Sequence, residues 1–386
     1  MKKVWKFLSY VLVAALASAA TLAVSMTLDQ PSAGMRKLEE LQNLMNQRFI
    51  GETDETAMMD GAAEGMVASL NDRWSFYIPA DEYGYYMEQM NNSYVGVGIT
   101  IQQSEDDSGI LVIQVTVGGP AEEAGVLAGD VLVAVNGESI LGLTTNEVKE
   151  RVVGDEGTFV TMTFLREGRE VTLDVQRRVV NTPVAMGEML DGNIGLVTIV
   201  NFDARCAEET IAAMEGLLNQ GAEKLIFDVR YNPGGYAHEL VAVLDYILPE
   251  GELFRTVDYA GNEDADMSDE KCLTGIPMVV LVNGDSYSAA EFFAAALREY
   301  GYAIVVGEQT VGKGYFQRTY TLQDGSAVGL SVGKYFTPNG VSLAEVGGLT
   351  PDIEVPVTDE EAFGIYAGTL APEVDPQIQA AVEALK

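Results

Sequence analysis

Near the start of the chain, apolar residues recur at three- and four-residue spacing: Met35, Leu38, Leu41, Leu44 and Met45, then a second apolar stretch over residues 57–70. That period lays them along one face of a helix, so the pattern over residues 34–91 predicts a helical region. From about residue 94 to 178 it changes to short β-like runs broken by glycines, with one helix at 144–152. Beyond 179 the two signals alternate. Residues 194–200, 224–229 and 277–283 are apolar runs of strand length, whereas 208–218, 239–248 and 289–300 have helical composition. Strands alternating with helices predict a sheet covered by helices. Residues 375–385 read as a terminal helix. The expected fold is mixed α/β and multidomain: a helical region 27–93, a small β domain 94–178, an α/β core 179–360 and a C-terminal tail and helix 361–386.

Residues 1–26 stand apart. Lys2, Lys3 and Lys6 precede an uncharged, mostly apolar stretch over residues 7–26. A bilayer-spanning helix needs about 20 such residues, and basic residues on its N-terminal side hold that end in the cytoplasm. Ala17-Ser18-Ala19 also offers a small-residue cleavage site of the secretory type. An anchor is the preferred reading over a cleaved signal; both place the remainder outside the cytoplasm.

Charge narrows the partners. With 58 acidic against 23 basic residues and a net charge of -35, a nucleic-acid surface or an anionic-membrane surface is not expected. Any membrane contact is assigned to the N-terminal segment alone. One histidine and two distant cysteines, Cys206 and Cys272, cannot build a typical zinc site, so no metal and no cofactor are expected. The two cysteines read as buried thiols rather than a disulfide.

The candidate chemistry lies at Ser288 and Lys313. Ser288 falls between the apolar run 277–283 and the helical stretch 289–300. A strand-to-helix turn lifts such a hydroxyl above the sheet edge, beside free helix N–H groups. A serine needs a base near neutral pH. His238 is the single histidine and reads as part of the helix after a glycine pair. Lys313 lies between Gly312 and Gly314, where backbone approaches closely and an amine can be enclosed and kept neutral. Gln317 is four residues on; in an extended segment it shares a face with Lys313 and would hold it. A Ser/Lys hydrolase follows.

At these residues the chain resembles the carboxyl-terminal processing peptidases, or tail-specific proteases. Their turn has a Ser-Ala-Ser-Ala-Ser-Glu-like pattern, followed roughly 25 residues later by Gly-Lys-Gly-x-x-Gln; here the turn is Ser286-Tyr287-Ser288-Ala289-Ala290-Glu291. Leu225 to Gly235, ending in Asn232-Pro233-Gly234-Gly235, resembles the family's strand-to-loop segment. The resemblance implies a serine endopeptidase whose oxyanion hole is made by the backbone of Gly234, Gly235 and Ala289. Segments 334–340 and 347–356 match as well, and the likeness runs from about residue 36 to the C-terminus. At 72–75 the family's Asp-Pro-Tyr-Ser is replaced by Asp72-Arg73-Trp74-Ser75.

The β region resembles a PDZ domain. Gly96, Val97, Gly98 and Ile99 match its carboxylate-binding loop, and residues 119–137 are close to the PDZ signature. Glycines let successive N–H groups converge on an anion, while a strand edge adds the peptide as a further strand. The resemblance implies protein substrates with apolar C-termini. Family members often carry Arg directly before the glycine ending the groove helix; this chain has Val153 before Gly154, and Arg151 earlier. The N-terminal helical pair leaves a homodimer open, and a catalytically silent, membrane-tethered PDZ adaptor is the alternative function.

Two motifs are decoys. Residues 307–313 copy a phosphate-binding loop but continue with Gly314, where Ser or Thr would hold magnesium. Ser331 and Lys334 copy a Ser-x-x-Lys pair, yet sit in a strand-like run that puts them on opposite faces.

Overall fold

The computed structural model describes residues 32–386 apart from 105–107 and 274. The expected anchor over residues 7–26 lies outside the described residues; among those described, no helix is long and apolar enough to cross a membrane. The chain divides into two units, Met1–Asp72 and Arg73–Lys386.

In the first unit the three- and four-residue period gives helices Ala33–Arg48 and Glu55–Ala68. Each starts on an oxygen-bearing cap: Ser32 accepts from Met35 N–H and Asp54 from Ala57 N–H. Neither helix buries a residue. Gln42 donates to Glu55 across the pair at 3.0 Å.

The second unit is built on a six-stranded sheet. Its order is Ala185–Leu190, Ile194–Ile199, Lys224–Asp228, Met278–Val282, Ala303–Gly307 and Ile353–Glu354. The first two strands pair antiparallel and the others parallel. Parallel strands are covered on both faces, which explains why Met278–Val282 is apolar at every position and buried throughout. Alternation then divides the core. Leu225, Phe227, Val280 and Val282 face the helices Cys206–Asn219, Ala237–Ile247 and Ala289–Glu299. Ile226, Val279 and Leu281 face the terminal helix Pro376–Ala384 through Ile378, Ala381 and Leu385. A buried ionic clasp fixes that helix: Arg230 donates to Asp228, to Asp375 at 2.8 Å and to Gln377 at 3.0 Å.

A second sheet runs Phe76–Ile78, Ala327–Phe336, Gly251–Asp258 and Glu263–Ser268, and Tyr315–Thr321 also pairs with Ala327–Phe336. This sheet carries the chain beyond Lys313.

The β region has its own sheet, in the order Ile99–Gln103, Ile110–Val115, Val131–Val135, Phe159–Arg166 and Arg169–Gln176. Its separate core includes Ile110, Val112, Leu132, Met162 and Phe164. Helix Thr145–Val152 opens with a capping box between Thr144 and Glu147. Ile99–Gln103 pairs on one side only, with Ile110–Val115, leaving an edge. The two crossings into this region pair with each other as Ser93–Gly96 and Arg178–Asn181.

Candidate active site

The turn between Met278–Val282 and Ala289–Glu299 holds Ser288 at φ 58° and ψ -124°, a conformation that L-residues avoid. Such backbone stores about 1–3 kcal/mol and persists only when its surroundings over-determine it. Here they do. Ser286 Oγ donates to Val229 C=O at 2.7 Å and accepts from Asn283 N–H; Tyr287 N–H donates to Asn232 C=O at 3.1 Å. Ser288 N–H donates to Glu291 Oε2 at 2.9 Å. The helix behind the turn is buried from Ala289 to Leu297.

Glu291 is the hub of the site. Its carboxylate is fully buried and accepts from Ser288 N–H, Gly312 N–H at 2.7 Å, Lys313 N–H at 2.8 Å and the Thr310 hydroxyl. One side chain therefore fixes the backbone of both candidate catalytic residues. Thr310 Oγ1 in turn accepts from Leu349 N–H at 2.7 Å.

Ser288, Lys313, Gln317, Gly234 and Gly235 line one cleft of about 500 Å³. The Lys313 amine lies 4.6 Å from the centre of the Trp74 ring and 5.7 Å from that of Tyr287. These rings wall the amine on its apolar side. Gln317 lines the cleft with Lys313, and the register shift between Phe316 and Gln317 leaves Val332 as the extra residue on the partner strand Ala327–Phe336. Its amide nitrogen donates to Ser331 Oγ at 3.0 Å and to Tyr315 C=O at 3.3 Å.

The glycine pair approaches the serine closely. A Cβ on Gly234, whose φ is +91°, would lie 2.7 Å from Ser288 Cβ and 2.9 Å from Ala289 N. The expectation for Gly234 needs correcting, because its own N–H donates to Asn232 Oδ1 at 2.8 Å and is already occupied. Gly235 forms a parallel bridge with Phe202 that uses Gly234 C=O and Tyr236 N–H, leaving the Gly235 N–H out of the pairing. Ala289 N–H belongs to the first helical turn, where no intrahelical acceptor exists. Beside Ser288 and Ala289 a small apolar pocket is lined by Ala237, Leu240, Phe254, Phe292 and Tyr335.

Sequence reasoning missed Asp203. It lines the same cleft and is buried; desolvation first, then the Glu239 charge, raises its carboxyl to about 7. His238 does not line the cleft; its side chain is 74% exposed and its ring stacks on Tyr236. The decoys resolve as structure. Residues 307–313 lead into strand Tyr315–Thr321 rather than a helix, and Lys334 pairs with Glu345 at 3.1 Å while Ser331 serves Gln317. Cys206 and Cys272 are free thiols, with burial pushing Cys206 up to about 12.

In the β region, Gly96, Val97 and Gly98 are buried in the loop before Ile99. Val97 C=O accepts from Ala121 N–H and Gly98 C=O from Thr116 N–H, which fixes the loop against the helix Pro120–Ala124. Arg151 pairs with Glu138 at 3.4 Å on the surface, and Arg177 fills the space against Gly154, donating to Val152 C=O at 2.7 Å.

A sheet that delivers a strained serine to a helix start, with a PDZ domain alongside, defines a serine-type peptidase of mixed α/β architecture. The model for peptidase family S41 matches residues 193–355, a PDZ domain model matches 111–166, and the model for the N-terminal domain of the activating protease CtpB matches 10–89. The carboxy-terminal processing protease CtpA of Bacillus subtilis (strain 168) is 33% identical over 370 residues, covering 93% of this chain and 79% of that protein. A CtpA-like serine protease of Staphylococcus aureus (strain MSSA476) is 29% identical over 340 residues, covering 87% and 68%. A crystal structure from Bacteroides fragilis NCTC 9343, described as an S41 protease, covers 85% of this chain and 97% of its own. It has a TM-score of 0.50 and 16% identity, a likeness of fold. The chain belongs to the carboxy-terminal processing proteases of peptidase family S41.

Proposed function

We propose that this peptidase is an extracytoplasmic endopeptidase that cleaves protein chains with a Ser288/Lys313 dyad. The observation that carries the reading is the buried Glu291 carboxylate, which binds the backbone of both residues and so couples the nucleophile's turn to the lysine's loop. Ser288 Oγ would attack the scissile carbonyl carbon. The Lys313 amine, neutral before attack, would take the hydroxyl proton and return it to the leaving amine; water then repeats the cycle on the acyl-enzyme. The rings of Trp74 and Tyr287 stand beside that amine. Gly235 and Ala289 N–H groups would hold the oxyanion, while Gly234 permits the close approach. Gln317 would orient the lysine from the cleft wall. The apolar pocket beside Ser288 suits a small apolar side chain before the scissile bond.

The PDZ domain would take an apolar substrate C-terminus between the edge strand Ile99–Gln103 and helix Thr145–Val152, with its carboxylate at the 96–99 loop. The apolar segment 7–26 would tether the enzyme at the membrane, or be removed as a signal.

Digestion of an unfolded, apolar-tailed protein tests the reading. The parent should cut it, and Ser288→Ala and Lys313→Ala should each lose about 1,000-fold or more in kcat/KM while keeping the parent's circular dichroism. Equal cutting by all three would overturn the dyad. Peptide binding without cutting by any of them would leave an adaptor.

A further inference from the structure

We propose that Asp203 is the anionic floor of a subsite in the catalytic cleft that accepts a lysine or arginine side chain of the substrate. This rests on the endopeptidase reading, and deepens it from apolar recognition to a charge-selective one.

Asp203 directly follows Phe202, whose N–H and C=O bind Gly234 C=O and Tyr236 N–H, each at 2.7 Å. It therefore sits one residue from the bridge that braces the glycine loop beside Ser288. The residue is 9% exposed and lines the cleft, yet its Oδ1 is buried with no hydrogen-bond partner among the described residues. Buried carboxylates in folded proteins are paired, because an unpaired one forfeits its hydration. A functional cleft is where that deficit can be made good by a ligand.

The surroundings say which ligand. The groups facing Asp203 are Tyr83 and Tyr86 on the helix Tyr83–Met90, Tyr236 and Glu239 at the next helix start, Tyr287 before the nucleophile, and the Cys206 thiol. None is a cation. The neighbouring Arg205 is committed elsewhere, to Glu209, Asn91 C=O and Thr182 C=O. Lys313, on the same cleft, has its amine against Trp74. A negative floor under tyrosine faces favours a cation through charge and through the ring quadrupoles together. The apolar wall of Phe76, Met87 and Met90 suits the methylene stem of a long basic side chain. A neutral side chain would leave the carboxylate unpaired, and an acidic one would meet both Asp203 and Glu239. The raised pKa of Asp203 agrees with a carboxyl that lacks its cation until substrate arrives.

The test uses the full-length protein and an alanine-based peptide with an apolar C-terminus. A single lysine, or norleucine as its uncharged counterpart, is moved through the four positions on each side of the cut. At one position lysine should raise kcat/KM over norleucine by about tenfold or more, the order expected of a charge-assisted bond, and Asp203→Asn should reduce that ratio to about one while still cutting the norleucine peptide. The same peptide pair is titrated by fluorescence anisotropy onto Ser288→Ala protein with and without Asp203→Asn, so that binding is read without cleavage. Tighter lysine binding that needs Asp203, with neither peptide cut by the parent protein, would sustain the subsite and sink the endopeptidase reading. Cutting with no lysine preference at any position, or a preference that survives Asp203→Asn, would overturn the subsite and leave the endopeptidase standing.

Discussion

Two buried carboxylates border the same catalytic cleft, and they are treated in opposite ways. Glu291, behind the nucleophile turn, accepts four donors from two stretches of chain. Asp203, which follows the bridge to the glycine loop, has a buried oxygen with no partner among the described residues and a carboxyl raised to about 7. The chemical group is the same; the supply of donors differs. A saturated carboxylate is an organiser, because removing it leaves several N–H groups stranded. An unsaturated one stands as a cost to the fold, tolerable where a ligand completes it. The two should therefore respond to mutation with opposite sign.

The largest effect is expected at Glu291. In Glu291→Gln an NH2 group replaces one oxygen, and whichever way the amide turns it faces two donors. A loss of about 3 kcal/mol or more in denaturant unfolding should accompany a fall of about 100–1,000-fold in kcat/KM, since displacing the serine or lysine by a fraction of an ångström is enough. Unchanged turnover would show that other contacts hold the dyad.

Gly234→Ala comes next, and breaks the other wall of the site. The added methyl would sit 2.7 Å from Ser288 Cβ at a backbone φ of +91°. About a hundredfold loss of kcat/KM is expected, with about 1–3 kcal/mol of stability. Gly340→Ala is the control: its φ is +77°, but a Cβ there meets nothing within 4 Å. It should lose about 1 kcal/mol and keep full activity.

The contrast between the carboxylates also marks what sequence can reveal. The turn at Ser288 was legible because its causes are local: an all-apolar strand, a helix-forming run, and nothing but a turn between them. Glu291 stood in view within the turn motif, but its meaning lay in Thr310, Gly312 and Lys313, 19 to 22 positions away. Trp74 marked a departure from the family pattern, and only folding brings its ring to the Lys313 amine. Gln317 could be placed by period-two alternation, and it lines the cleft with Lys313; its bond to Ser331 on the neighbouring strand had no local signal. Asp203 had no local signal at all, being one acid among 58 acidic residues. Its significance is an absence of partners, and absence of partners has no sequence pattern.

The effect that leaves turnover aside, and the one that separates the two carboxylates most cleanly, is the pH dependence of Asp203→Asn stability. The folded-state pKa of about 7 lies above the ordinary value of 3.8, so the folded protein holds this proton more tightly than the unfolded chain does. The resulting stability is fully present below pH 3.8. It is lost as pH rises through about 7, beyond which both states are ionised and the buried charge is borne in full. At 1.36 kcal/mol per unit the loss is bounded at about 4 kcal/mol, and relaxation and partial hydration of the carboxylate should bring it nearer 2. Asparagine keeps the shape and never ionises. Asp203→Asn should therefore match the parent in unfolding free energy near pH 4 and exceed it by about 2 kcal/mol at pH 8. Destabilisation at pH 8 would place Asp203 in the same class as Glu291, a carboxyl with donors of its own. A gain at pH 8 that shrinks when a lysine-containing peptide is added would tie the fold's deficit to the cation that removes it, since a ligand binding only the folded parent adds stability that the asparagine variant cannot recover.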